Sequence, residues 1–445
     1  MKRVSLLISL FLISWLGINA QTINLEQARL LALANSRSLA RHELAIHNSI
    51  LNERSHFYSI LPQISADYRA NMNFMRDWEF LNPIDTLTAS VGFSISQVIF
   101  QGGRSFIQRA IRGITTESAR KAALAEYFNV LDVIDNAYYA VLEAAAALEA
   151  EESSLQTAVL SLSMAEVRQM TGMINQGEYL RAMVDKEVRE NSLNQARRNF
   201  SLSLARFRTL TGITEAVELQ QIDFSEYDDV LTRLALITDE EADRLYKIFW
   251  GILAESNPAL ATAALNNQTA ELSLSNVIRT NAPTISASVS SSILNYSTAD
   301  GFETPSGTGR VTISGTIPVD FWVMNNQIET SKNALDRTIL GFADTESSLG
   351  QELQNALFNL FTQASSVLSS RRSLEITERH FEFVMERYRL SQGSVSDLNE
   401  ATTLFINSRN SLNRTSFAFL QSLSRLRSLC ALDDENELLR ILLSD

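Results

Sequence analysis

Cysteine is almost absent from this chain: Cys430 is the only one, so no intrachain disulfide framework and no paired-thiol motif is available. Histidine is nearly as scarce. His42 and His47 stand five apart, on different faces of any helix, His56 and His380 are isolated, and no zinc-binding spacing exists. Gly92-x-Ser94-x-Ser96 lacks the second glycine of a nucleophile elbow, and Gly102-Gly103 reads as a turn rather than a phosphate cradle. No enzyme, metal or cofactor is expected. Apolar runs of membrane-helix length are missing as well. The one near the start, Val4 to Ile18, follows Lys2 and Arg3 and ends at Ile18-Asn19-Ala20, which predicts a secretory signal over residues 1–20. A formal net charge of -13 excludes a nucleic-acid surface.

Proline is confined to six isolated points, Pro62, Pro83, Pro258, Pro283, Pro305 and Pro318, which leaves long tracts uninterrupted. Two of these tracts, residues 104–171 and 326–390, are dense in Ala, Leu, Glu and Arg and predict single helices. A 68-residue helix would extend on the order of 100 Å at ~1.5 Å per residue. Shorter helices are predicted over 25–58, 178–211, 241–280 and 397–429, with coiled-coil-like apolar spacing at Ile107, Ile111 and Ile114 and at Phe128 and Leu131.

The chain repeats itself. Pro62-x-Ile64-Ser65-Ala66 recurs as Pro283-x-Ile285-Ser286-Ala287, an offset of 221 (283 − 62), and Gln176-Gly177 recurs as Gln392-Gly393, an offset of 216 (392 − 176). Leu204 to Leu210 parallels Leu423 to Leu429 at 219 (423 − 204). Near-constant offsets mark a duplicated domain rather than a solenoid. The copies span residues 21–212 and 241–430, with an acidic connector over 213–240, opened toward the next helix by the capping box Thr238-x-x-Glu241, and a tail over 431–445. Connector and tail are expected to form an equatorial collar.

Each copy contains two period-two segments, 64–74 with 86–100 and 284–296 with 309–319. Ile64, Ala66, Tyr68 and Met72 alternate with Ser65, Asp67, Arg69 and Asn71, and the second copy does the same with Ser and Thr. Such strands suit a soluble sandwich with one wet face. The secretory signal, the strand length and the aromatics Phe57, Tyr58, Trp78, Phe100, Tyr296, Phe321 and Trp322 near strand ends shift the reading toward a membrane barrel. In lipid four strands cannot close, so a barrel would require a dimer with eight strands or a trimer with twelve.

Leu61-Pro62-Gln63-Ile64 at a strand entry, Phe100-Gln101-Gly102-Gly103-Arg104 at a strand-to-helix switch, and the turn Tyr388 to Leu404 with Asp397-Leu398-Asn399-Glu400-Ala401-Thr402-Thr403 resemble the TolC-type outer-membrane efflux family. The resemblance covers essentially the whole mature chain. It implies a mainly α fold with a membrane β-barrel portion: duplicated long helical hairpins and four strands per chain, making a homotrimeric 12-strand β-barrel and 12-helix α-barrel. It implies a location in the outer membrane of a Gram-negative bacterium, in contact with outer-membrane lipid and reaching into the periplasm. Its partners would be a periplasmic adaptor (membrane fusion) protein and an inner-membrane pump of RND or ABC type, for which the channel is a passive exit duct. By resemblance, Asp397, Glu400 and Tyr388 belong to the periplasmic entrance constriction, and Gln176, Gly177, Glu178, Arg181, Gln392, Gly393 and Ser394 to adaptor-docking turns. Arg181 departs from the family pattern by standing where an acid is common, and Ser394-x-x-Asp397 is also a plain helix start. A periplasmic coiled-coil adaptor or a secreted structural scaffold remains the competing expectation.

Overall fold

Long proline-free tracts do form single helices, and alternating tracts form strands. The computed structural model describes residues 21–73, 86–215, 217–297, 301–303 and 309–443. The predicted signal segment, Phe74, Trp78, Pro83, most of the 297–308 loop and the last two residues of the tail lie outside the described residues. In chain order the elements are β1 (Gln21–Ile23), α1 (Leu25–Asn35), α2 (Arg37–Ser59), β2 (Gln63–Asn73), β3 (Thr86–Gln101), α3 (Arg104–Met170), α4 (Gln176–Thr211), β4 (Val217–Leu219), α5 (Asp228–Ala235) and α6 (Asp239–Ser256). They continue with α7 (Pro258–Ile278), β5 (Thr284–Ser297), β6 (Gly301–Glu303), β7 (Gly309–Thr316), α8 (Phe321–Arg389), α9 (Val395–Leu429) and α10 (Glu435–Leu443).

Several boundaries differ from expectation, each for a local reason. The helix expected over 25–58 breaks at Ser36, whose backbone is extended and whose hydroxyl accepts from Leu39 N. The amide of Asn35 meanwhile donates to Thr209 O and Leu210 O at the end of α4. The helix expected over 241–280 starts at Asp239 and breaks at Asn257, held extended ahead of Pro258, with its amide donating to Leu429 O at 2.8 Å. Both copies thus dock a broken helix onto the carbonyl end of their returning helix. Strand β7 stops at Thr316 rather than 319, since Pro318 has no N–H to give a ladder. Strands β1, β4 and β6 were not expected; β1 pairs in parallel with β4, and β6 pairs antiparallel with the end of β5.

Contacts divide the chain into two units, each built from pieces of both sequence copies. One comprises residues 40–124 and 258–348 and holds the large sheet. Its order is β2-β3-β5-β6, with β7 also on β5, all antiparallel. The hairpin of the first copy therefore pairs directly with the second copy, and β2 and β7 are left as open edges. Register aligns Ile64, Ile95, Val289 and Val311 in one rung and Ser65, Ser94, Ser290 and Arg310 in the next. The first rung is bare, with Ile64 75% and Val311 71% exposed, while the hydroxyls of Ser65 and Ser94 bond at 2.7 Å. Among the described residues this unit buries few apolar side chains, namely Ile107, Pro258, Leu260 and Met324. The switch from β3 to α3 needs Gly102, whose φ is +64° and where a Cβ would lie 2.3 Å from that of Ala282.

The other unit comprises residues 1–39, 125–257 and 349–445 and has a continuous helical core including Ile134, Tyr138, Phe207, Leu353, Leu360, Phe419 and Leu426. At its centre Asp135, fully buried, accepts from Arg29 Nε at 2.7 Å, Arg29 Nη2 at 2.8 Å, and Arg427 Nη2 and Ser424 Oγ at 2.7 Å each. Burial works against the Arg29 charge, but the hydrogen bonds and field of Asp135 win, and its pKa is raised. Arg29 also reaches Glu435 of α10, which accepts from Tyr227 Oη at 2.9 Å, so tail and connector join one network with both copies. Phe224 and Tyr227 of the connector pack edge-on against Phe417 and Phe419.

Candidate functional site: two duplicated helical turns

The turns joining α3 to α4 and α8 to α9 share one backbone design. After α3, Gly172 N donates to Gln169 O at 3.0 Å and Met173 N to Arg168 O at 2.8 Å; after α8, Ser391 N donates to Tyr388 O at 3.0 Å and Gln392 N to Arg387 O at 2.8 Å. Gly172 (φ +77°) and Ser391 (φ +60°) are the left-handed residues that let these carbonyls be satisfied. Asn175 and Ser394 then cap the next helices, accepting from Glu178 N at 3.0 Å and Asp397 N at 3.1 Å. All these equivalences obey one offset of 219 (391 − 172, 394 − 175).

That offset corrects the sequence alignment of the turns. Gln176-Gly177 and Gln392-Gly393 are not equivalent: the first pair opens helix α4 behind its cap, and the second precedes the cap of α9. Glu178 is the counterpart of Asp397, and Arg181 the counterpart of Glu400. The first copy keeps the leading acid, and the exchange of charge falls one helical turn later.

Of the expected site residues, Gln176, Gly177, Arg181, Gln392, Asp397 and Glu400 are exposed, and Glu178, Gly393 and Ser394 half-buried. The Asp397 carboxylate is engaged locally, accepting from Ser394 N at 3.2 Å in a reciprocal capping box. The two turns come together: Gly177, Leu180, Arg181, Val184, Ser396 and Asn399 line one groove of about 470 Å³. Farther along, Arg189 of α4 pairs with Asp185 at 3.3 Å and donates to Thr403 of α9 at 2.6 Å.

Tyr388 is placed differently from the rest. It is completely buried, packed with Ala165, Ala182, Val384, Val395, Leu398 and Ala401, and its hydroxyl donates to Ser161 O at 3.1 Å. The Arg168 guanidinium lies 4.3 Å from its ring centroid and donates to its carbonyl oxygen. Within the chain Tyr388 therefore faces neighbouring helices rather than solvent. Sequence reasoning missed Arg168 and Ser161; carrying the 219 offset through the turn pairs Arg168 with Arg387 and would have drawn attention to the former.

A family model described as outer membrane efflux protein matches residues 28–213 and again 251–431. The chain belongs to the outer membrane efflux protein family. The double match follows the sequence duplication, and relatives in this family are efflux channels of the Gram-negative outer membrane. No curated protein matches this efflux protein. Solved structures do. The Campylobacter jejuni CmeC outer membrane channel is 16% identical, with a TM-score of 0.72 over 96% of this chain and 93% of that one. The Vibrio cholerae outer membrane protein VceC is 14% identical, with a TM-score of 0.71 over 91% and 95%. The open state of the Neisseria gonorrhoeae MtrE outer membrane channel is 15% identical, with a TM-score of 0.70 over 92% and 88%. At these identities the likeness establishes the fold. Among the described residues no helix is long and apolar enough to cross a membrane.

Proposed function

We propose that three copies of this efflux protein close their sheets into one twelve-strand barrel in the outer membrane, and that their helices continue as a periplasmic tunnel serving as a passive exit duct. The observation that carries this is the sheet with free edges at β2 and β7 and a bare apolar face. Backbone groups left unpaired in hydrocarbon cost several kcal/mol each, so such a sheet is tenable in lipid only when sister chains join it edge to edge. Connector and tail form a collar on the helical portion. The duct receives its cargo from an inner-membrane pump, of the RND or ABC type, through an adaptor that docks on the paired turns containing Gln176, Glu178, Arg181, Gln392 and Ser394. The fractionated protein should appear in the outer membrane as a detergent-soluble, heat-modifiable trimer; a monomer in the periplasmic wash would sink the assignment.

In this reading Asp397 and Glu400 stand at the tunnel entrance, where three copies would gather their carboxylates into a cation-attracting constriction. Exposure of both acids beside the docking groove supports this. Asp397→Ala combined with Glu400→Ala should raise single-channel conductance in planar bilayers, and unchanged conductance removes the gate role. Tyr388 contributes from beneath, holding α3 and α8 together through Arg168 and Ser161.

A further inference from the structure

One groove in the sheet-bearing unit is not accounted for by duct or docking. It lies where α2 runs into β2 and β3 runs out into α3, has a volume of about 430 Å³, and is lined by Ile50, Glu53, Arg54, Phe57, Phe106 and Arg109, among others. His56 closes its back, buried, with Nε2 3.0 Å from Ser105 O. Phe57 and Phe106 are left 57% and 79% exposed. Among the described residues, Arg54 and Arg109 have no ion pair and no hydrogen bond. Around the groove, residues 50–59 and 104–113 carry Arg54, Arg104, Arg109 and Arg112 against the single acid Glu53, in a chain whose net charge is -13.

The order of chemistry along the helices matters. Of the apolar and basic side chains that line the groove, Ile60, Phe57 and Phe106 lie nearest the strand ends, and Arg54 and Arg109 come about one helical turn, roughly 5 Å, farther out; Arg104, outside the lining, begins α3 at the strand end. If the strands cross the hydrocarbon layer, this puts apolar side chains at its boundary and guanidinium groups at the depth of the phosphates, a layer only several ångströms thick. Exposed Phe100, Phe321 and Trp322 sit at the same strand-end level. A free phosphate would use the two arginines and leave the aromatics unexplained. An acyl-bearing phosphate uses both.

We propose that this groove binds an anionic phospholipid of the leaflet facing the helices, with the phosphate on Arg54 and Arg109 and the glycerol and first acyl carbons against Phe57, Ile60 and Phe106. The proposal rests on the outer-membrane assignment above. Bound lipid would tie the strand-to-helix junction to the membrane surface and set the depth of the barrel.

The test uses full-length protein extracted from the outer membrane as a trimer, titrated with phosphatidylglycerol and followed by native mass spectrometry. Phosphatidylglycerol should remain bound to the wild-type assembly and resist competition by inorganic phosphate, and phosphatidylcholine should bind more weakly. Arg54→Gln with Arg109→Gln should weaken phosphatidylglycerol binding by roughly tenfold or more, the usual consequence of losing charge-assisted hydrogen bonds. Arg54→Lys with Arg109→Lys, which keeps the charge, should retain part of it. Equal binding by wild type and the glutamine variant, equal binding of the two lipids, or displacement by inorganic phosphate each overturns the lipid site while leaving the trimeric duct intact. Recovery of wild type as a periplasmic monomer that ignores phosphatidylglycerol would remove both.

Discussion

Asp135 concentrates more buried charge than any other point in the helical unit, and its neighbours show why it is retained there. Two guanidinium groups and a hydroxyl satisfy it, so removing the carboxylate strands Arg427 without a counter-charge in the core and leaves Arg29 only its outer partners Glu26 and Glu435. Asp135→Ala should therefore cost about 3–5 kcal/mol in denaturant unfolding. Arg425→Ala, which removes a half-exposed side chain paired with Glu352 and, at 3.7 Å, with Asp132, should cost about 1 kcal/mol; similar costs for the two would refute the distinction. Alkali acts on the same core. Burial pushes the Cys430 thiol from 9.0 up to about 12, and burial pushes the Tyr138 hydroxyl from 10.0 up to about 12 against the lowering effect of its bond to Gln220 O. Both groups are raised on folding, so their stabilising contributions are complete below pH 9 and are lost as pH climbs toward 12. The thermal midpoint should fall between pH 9 and 11, and a level midpoint across that range would contradict the assignment.

At the scale of elements, the two turns make a matched pair with one informative difference. Gly172 and Ser391 hold the same left-handed position, but only glycine holds it without strain. Gly172→Ala should destabilise by about 1 kcal/mol, and Ser391→Gly should be neutral or stabilising, by thermal melting of the assembled protein. Ser394→Ala, which removes a reciprocal cap, should cost about 1 kcal/mol and fray the start of α9, seen as faster amide exchange at Val395 to Leu398. Helix and strand identity were legible from proline-free composition and from period-two alternation. The breaks at Ser36 and Asn257 were not, since they are stabilised by amides reaching Leu210 O and Leu429 O, some 170 residues away in the chain.

For the whole molecule, the bare rung of Ile64, Ile95, Val289 and Val311 predicts opposite tolerances on the two sheet faces. In the proposed trimeric barrel, Val311→Lys on the apolar face should cost about 2–4 kcal/mol and deplete the trimer from the outer membrane. Ser290→Lys on the hydroxyl face should leave trimer recovery near wild type while altering channel conductance. Recovery measured after membrane fractionation decides it; equal losses for both would mean that neither face meets lipid.

Composition, repeat offsets and alternation determined by themselves that this chain is a duplicated helix-and-strand protein whose strands have one apolar and one hydroxyl-rich face. These properties are local or periodic, so a linear reading captures them. Tertiary structure decided that the two hairpins join into a single sheet across the copies, that Gln176-Gly177 is not the counterpart of Gln392-Gly393, and that Tyr388 is buried under Arg168. It also assembled Arg29, Asp135, Arg427 and Glu435, four residues scattered along the chain, into one network. The physical reason is common to all of these: hydrogen bonds and ion pairs in a dry interior are satisfied by whatever the fold brings within 3 Å, and sequence separation says nothing about that distance.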